Sequence, residues 1–150
     1  MAEEEIIATN KKAKRDYFIL ESYEAGIRLQ GVEVKSLRES NVSLNDSFGR
    51  IEKEEIFLYN LHVPPYSHID RRDYDPLKAR KLLLHKREIK KLASRLSIKG
   101  LTIVPLKMYF KHGIAKVELA LCKGKKLYDK RRQLRKKTAQ REMERALRKR

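Results

Sequence analysis

Between Val104 and Cys122 apolar and polar residues alternate in two runs separated by His112-Gly113. In the second run Ala115, Val117, Leu119 and Leu121 fall on one side, with Lys116 and Glu118 on the other. In the first, Val104, Leu106, Met108 and Phe110 share a face, with Lys107 and Tyr109 opposite. A period of two belongs to strands buried on one face, and a two-residue link containing glycine joins such strands as a hairpin. An antiparallel sheet is therefore expected. Residues 56–63 are apolar on both faces, which suits a strand inside a closed sheet, and 17–20, 27–29 and 42–51 are further strand candidates. One stretch, 86–97, has helical spacing instead: Ile89, Leu92, Ala93 and Leu96 form a stripe with lysines and arginines around it. A shorter helix at about 32–38 competes with a strand, because Val32 and Val34 suit either. Residues 64–76 read as a charged loop. Several short strands and few helices predict a mainly β fold, an antiparallel barrel with accompanying helices, for which the OB-like type is the commonest nucleic-acid binder.

Charge divides the chain into two regions. Of 150 residues, 37 are Lys or Arg and 20 are Asp or Glu, a net charge of +17. Residues 123–150 hold 14 basic and 3 acidic side chains, so the last 28 residues carry +11 and the rest +6. The tail has too few apolar groups to offset its ordering entropy, and its like charges repel. Its Lys, Arg, Gln, Glu, Leu and Ala nevertheless favour helix. The expected organisation is a folded body, 1–123, and a basic tail, 124–150, disordered when free and helical against a polyanion. Nucleic acid or an anionic membrane face would supply such a partner. The acidic start has no apolar signal-peptide core, and no apolar run approaches the roughly 18–20 residues that span a bilayer. With the single Cys122, unable to form an intrachain disulfide or a multi-cysteine zinc site, this predicts a soluble protein of a reducing, cytoplasmic compartment.

No enzyme signature is complete. Gly124-Lys125 lacks the upstream glycine of a phosphate loop, and His62, His68, His85 and His112 are too scattered for a metal site. Asp70, Asp73 and Asp75 would suit a magnesium-dependent nuclease, but Arg71 and Arg72 among them favour a charged loop. Neither a cofactor nor a metal is expected. Two basic clusters remain, each beside apolar groups: residues 10–15 lead into Tyr17 and Phe18, and Arg80-Lys81 and His85-Lys86-Arg87 flank Leu82-Leu83-Leu84. Cations attract phosphates, and neighbouring aromatic or apolar groups accept unstacked bases.

Asn10-Lys-Lys-Ala, Asp16-Tyr-Phe-Ile19, Tyr23-Glu-Ala-Gly-Ile27, the segment Gly31 to Arg38, Asp75-Pro, Arg80-Lys-Leu-Leu-Leu-His85, Val104-Pro-Leu, Lys116-Val and the segment Lys123 to Arg131 occur in one order. Together they resemble the SmpB family, the bacterial SsrA-binding proteins that partner transfer-messenger RNA in trans-translation. The likeness departs at Glu39-Ser40, where a small glycine-containing turn is expected, and at Cys122, where a small residue is usual.

The resemblance implies a six-stranded OB-like barrel that grips the tRNA-like domain of transfer-messenger RNA and delivers it, with elongation factor Tu, to stalled ribosomes. It places Glu24, Leu83 and Lys116 in the RNA site. Asn10, Lys11, Arg80, Lys81 and His85 would lie beside them, and Lys123, Lys125 and Lys126 would continue the surface. Glu24 would accept hydrogen bonds from base edges or 2′-hydroxyls, or orient a neighbouring lysine. Residues Tyr128, Asp129, Lys130 and Arg131 would meet the decoding centre, with Tyr128 stacking on a nucleobase and the tail in the empty mRNA channel. The work would be binding, without catalysis. A generic ribosomal protein is the alternative.

Overall fold

The computed structural model describes residues 4–39, 41–67, 74–125, 137–138 and 140–147. Among the described residues up to 125, seven strands and three helices follow in the order β1 (Glu4–Thr9), α1 (Lys11–Asp16), β2 (Tyr17–Ile27), α2 (Gly31–Glu39), β3 (Phe48–Glu52), β4 (Glu55–Tyr59), β5 (Arg80–Leu83), α3 (Lys86–Leu96), β6 (Leu101–Lys111) and β7 (Ile114–Gly124), and 137–138 and 140–147 are helical. All pairings are antiparallel. Six strands form a closed ring, β6-β3-β4-β5-β2-β7 and back to β6, while β1 adds to the edge of β6. The expected six strands thus account for the ring, and β1 is a seventh.

The expected hairpin is present. His112 and Gly113 have φ of 52° and 74°, and Lys111 pairs with Ile114. Positive φ at both turn residues matches the twist of the flanking strands. A second such turn, Lys53-Glu54 between β3 and β4, has φ of 49° and 64° without any glycine. The ring closes where Gly49 pairs with Ile103. A Cβ at Gly49 would lie 2.8 Å from Ile103 Cγ2, so only glycine lets β3 and β6 approach this closely.

Several sequence boundaries shift for identifiable reasons. The strand expected at 17–20 runs on as β2 to Ile27, with a register slip between Ile19 and Glu21, so of the 27–29 candidate only Ile27 is strand. Only Phe48–Glu52 of the 42–51 candidate is a strand, because Asn45 and Asp46 form a turn, with one isolated bridge from Ser43 to His62. In 56–63 the strand ends at Tyr59, and Asn60 has a φ of 59°. Leu61 and Val63 are fully buried beyond it, which explains apolar residues on both faces. The face shared by Val104, Leu106, Met108 and Phe110 is split. The β6–β7 register slips between Pro105 and Lys107, so Met108 and Phe110 join the main core while Val104 and Leu106 join a second cluster with Ala13, Ala120 and Cys122. Burial pushes the Cys122 thiol up to about 12, keeping it protonated and inert. Ala93, counted in the apolar stripe of α3, is exposed, while Ile89 and Leu92 are buried.

Two residues expected on the RNA surface lie inside instead. Asn10 is 2% exposed. Its Oδ1 accepts from Ala13 N–H at 3.0 Å, capping α1, and its Nδ2 donates to the carbonyls of Pro105 at 2.9 Å and Leu44 at 3.1 Å. Arg80, also 2% exposed, is β5's link to α2. Its Nε donates to Glu33 Oε2 at 2.5 Å, and its Nη1 and Nη2 reach the carbonyls of Leu61 and Pro76 at 2.7 and 3.2 Å. Burial alone would raise the Glu33 carboxyl; hydrogen bonds from Gln30 N–H, Arg80 and Lys78 outweigh it and hold the group below the ordinary glutamate range.

The Glu33–Arg80 pair sets an expectation for stability. Arg80→Ala leaves a buried carboxylate and several carbonyls short of donors, and is expected to cost about 3–5 kcal/mol in urea unfolding. The folded value of Glu33 lies below its unfolded value. Its ionised form therefore contributes stability above the unfolded value, and that contribution is lost as pH falls through the lowered folded one. Arg80→Ala should flatten the acid side of the stability profile, measured by the same unfolding at several pH values.

Candidate nucleic-acid interface

Strands β5, β2 and β7 lie side by side, and their register brings the expected surface residues together. Gly26 of β2 pairs with Leu83 on one side and with Lys116 on the other. Alternation along β5 turns Arg80 and Leu82 inward and leaves Leu83 48% exposed. Directly after Leu83 the chain passes Leu84 and starts α3. There the His85 N–H donates to Glu88 Oε1 at 3.1 Å and the His85 carbonyl accepts from Glu88 N–H at 2.9 Å, fixing the helix start beside the strand. Glu24, Gly26, Leu83, His85, Glu88 and Lys116 line one open groove of about 460 Å³. Gly26 keeps its floor low: a Cβ there would sit 3.3 Å from Leu83 Cβ.

Glu24 is positioned from the far side of β7. Its Oε2 accepts from the Tyr109 hydroxyl and from Lys111 Nζ, the latter at 3.4 Å. The Tyr109 hydrogen bond, followed by the charges of Lys111 and Lys116, holds the Glu24 carboxyl below its ordinary range against partial desolvation. Burial, and after it the same contact with Glu24, raises the Tyr109 hydroxyl above its ordinary range. Glu24 is therefore a fixed, ionised acceptor at the groove edge, opposite a lysine donor and beside an exposed leucine. That combination can accept hydrogen bonds, neutralise a phosphate and cover an apolar base face. Sequence reading missed Tyr109 and Lys111 as supports, because Glu24 and these two residues lie 85 and 87 positions apart and only strand register joins them.

The other candidates separate from this groove. Lys81, paired with Glu55 at 3.1 Å, lines a neighbouring groove. Lys11 is exposed on α1, and α1 leads into β2, whose Tyr17 pairs with Gly124 at the end of β7. Around that junction, Lys123 pairs in the ladder with Phe18, and Lys125 Nζ lies 5.2 Å from the Phe18 ring centre and donates to the Lys14 carbonyl at 3.2 Å. The two basic clusters are thus two surfaces. Lys126, Tyr128, Asp129, Lys130 and Arg131 lie outside the described residues, as do His68, Asp70, Arg71, Arg72 and Asp73. Asp75 is exposed, and its Oδ1 accepts from Leu77 N–H at 2.9 Å. Among the described residues no three His, Cys, Asp or Glu side chains are grouped to hold a metal, and no helix is long and apolar enough to cross a membrane.

A family model described as "SmpB protein" matches residues 7–149. The chain belongs to the SmpB family. The SsrA-binding protein of Geobacillus thermodenitrificans is 57% identical over 148 residues, covering 99% of this chain and 96% of that protein. That of Carboxydothermus hydrogenoformans is 57% identical over 145 residues, covering 97% of each. A solved structure described as "tmRNA-SmpB: a journey to the center of the bacterial ribosome" superposes with a TM-score of 0.65 at 48% identity, covering 82% of this chain and 83% of that one.

Replacing Tyr109 with Phe removes the strongest influence on Glu24 without emptying the core. In this SmpB-family chain Tyr109→Phe is expected to move the Glu24 carboxyl upward toward the ordinary glutamate range, read by NMR titration of its side-chain carbon. Lys116→Ala is expected to move it in the same direction by less, because Lys116 acts on Glu24 through its charge alone and more weakly than Tyr109 or Lys111.

Proposed function

We propose that this chain binds the tRNA-like domain of transfer-messenger RNA and delivers that RNA to stalled ribosomes for trans-translation. The observation that carries the reading is one groove that gathers Glu24, Leu83, His85 and Lys116 from separate elements of an SmpB-family chain. The names of its relatives support SsrA RNA as the partner, and the solved neighbour supports the ribosome. No step requires catalysis: the aminoacyl and peptide transfers belong to the synthetase and the ribosome. In this reading Leu83 covers an unstacked base, Lys116 neutralises a phosphate, and Glu24 accepts from a base edge or 2′-hydroxyl. Lys81 in the neighbouring groove, Lys11, Lys123 and Lys125 on the separate surface at the end of β7, and Lys126 add phosphate attraction. Asn10 and Arg80 hold the protein together from within and have no part in the contact.

The closed ring serves as the OB-like body, 1–123, and 124–150 serve as the tail. With a charge of +10 the tail repels itself, and neutralisation by rRNA phosphates extends its helix. Residues 137–138 and 140–147 are helical in the structure without a partner, which agrees with the tail's helix propensity and departs from the disorder expected of the free tail. An empty mRNA channel is a narrow cleft walled by phosphates, and an intact message would exclude the tail from it. Occupancy of the channel is therefore the physical basis for choosing stalled ribosomes. Tyr128 stacks at the decoding centre, with Asp129, Lys130 and Arg131 beside it, and elongation factor Tu completes the delivery complex in the cytoplasm.

Glu24→Ala, Leu83→Ala and Lys116→Ala are each expected to weaken binding of the tRNA-like domain by about 1–3 kcal/mol, measured by filter binding, with far-UV circular dichroism unchanged. Normal binding by all three would overturn the assignment. Truncation after Lys126 is expected to leave affinity for the tRNA-like domain within a few-fold, because the specific contacts lie in the body, yet to abolish tagging of nascent chains. Tagging at the normal rate by the truncated protein would reduce the tail to a counter-ion store.

A further inference from the structure

The outer surface of the ring carries a second row of side chains, beside the groove around Leu83. Arg50 stands opposite Phe57 in the β3–β4 ladder, and Phe57 opposite Lys81 in the β4–β5 ladder. The Arg28 N–H donates to the Lys81 carbonyl at 2.9 Å, placing Arg28 next in line. Residues abreast on neighbouring strands share a face. The alternate positions Gly49, Ile56, Leu58 and Leu82 are buried, so the row Arg50–Phe57–Lys81–Arg28 points outward. Strand spacing gives it a length of about 14 Å. Phe57, half-buried, forms a wall of an open groove of about 640 Å³ together with Arg28, Lys78 and Lys81. One position along the same face, Phe48 and Tyr59 stack with ring centres 5.6 Å apart and planes 13° from parallel.

The cations differ in what they must give up. Lys81 is held by Glu55 at 3.1 Å, Arg50 by Glu52 at 3.5 Å and Lys78 by Glu33 at 3.0 Å. Arg28 is exposed and forms no ion pair among the described residues. It can therefore meet a phosphate without first releasing a carboxylate. A part-exposed aromatic ring with Lys81 beside it and Arg28 one strand further along the same groove is an arrangement that tracks a single strand: bases stack on the ring and the backbone follows the charges.

We propose that this row is a second RNA-binding platform, on which a single-stranded segment stacks one base on Phe57 while Arg28 holds the adjacent phosphate. Lys81 joins when the phosphate displaces Glu55. An acidic peptide would answer to the same cations, but it carries no base to stack, so dependence on the Phe57 ring separates the two. The inference does not depend on the tRNA-like domain being the ligand of the Leu83 groove.

The test uses the full chain and a short fluorescent oligouridylate carrying photoreactive 5-iodouridine. An adduct mapped to Phe57 by mass spectrometry is expected. Phe57→Leu should abolish that adduct and weaken binding about tenfold, the scale of losing one base–aromatic stack. Arg28→Glu, at an exposed position that keeps the fold, should lower both readouts, and Glu55→Gln should raise them by freeing Lys81. Adducts confined to the tail or to the Leu83 groove, with affinity unchanged in Arg28→Glu, would overturn the proposal even if Phe57→Leu failed to fold. The tRNA-like domain measured against Leu83→Ala reads the other groove separately, so failure of one site is distinct from failure of the other.

Discussion

A single guanidinium sets the phase of the strand on which the interface depends. Arg80 is buried on the inner side of β5, clamped by Glu33 of α2 and by carbonyls of the chain on either side of the 64–76 loop. Strand alternation then dictates the rest: with Arg80 inward, Lys81 faces out, Leu82 enters the core and Leu83 faces out. A one-residue slip would bury Lys81 and Leu83 and expose Arg80 and Leu82. A four-residue strand has little register information of its own. The ion pair supplies it, because an unpaired carboxylate and guanidinium inside the ring would cost several kcal/mol. Its contribution is therefore as much to specificity as to stability.

The same logic of fixed charge governs Glu24. A carboxylate beside RNA is a liability while it is mobile, since it can approach a phosphate. Tyr109 and Lys111 remove that freedom by anchoring one oxygen from the neighbouring ladder. Local repulsion is limited by Lys116, which pairs directly with Tyr109 in the β6–β7 ladder. An anchored acceptor discriminates between base edges, where a mobile one would only repel.

The legible part of the fold was the part written in local pattern. The β6–β7 hairpin and α3 follow from periodicities of 2 and 3.6, and the positive φ values at His112-Gly113 follow from turn chemistry. The Lys53-Glu54 turn was hidden because neither residue advertises left-handed backbone. The bulges after Pro105 and Ile19 were hidden too, since a slipped register leaves the sequence alternation unchanged while moving side chains between clusters. At the groove, exposed Leu83 and half-buried Lys116 lie off the core face, as the alternation of their strands predicts. Asn10 and Arg80 were misplaced for a common reason: in sequence, a polar residue in a basic cluster looks like surface, whereas burial here is made tolerable by partners 34 to 95 positions away. Helix α2 was ambiguous on the same account, because its inward face includes Glu33 together with Ser36 and Leu37.

Closing the sheet has a consequence for what its outside can bind. Once Gly49 admits Ile103 and the ring shuts, the ring strands keep no open edge over their paired lengths, and recognition has to use side-chain faces. Closure also packs the inner positions with aliphatic groups, so the charge and the exposed aromatics are displaced outward together. On the outer face of β3, β4, β5 and β2 that produces cations abreast of Phe57, while one register step away it produces Leu83, Gly26 and Lys116 abreast of one another. The two rows are adjacent positions on the same twisted surface. On the proposed reading a polyanion laid across one row would reach the other, and the modest +7 of residues 1–123 is concentrated in effect by the geometry of the ring.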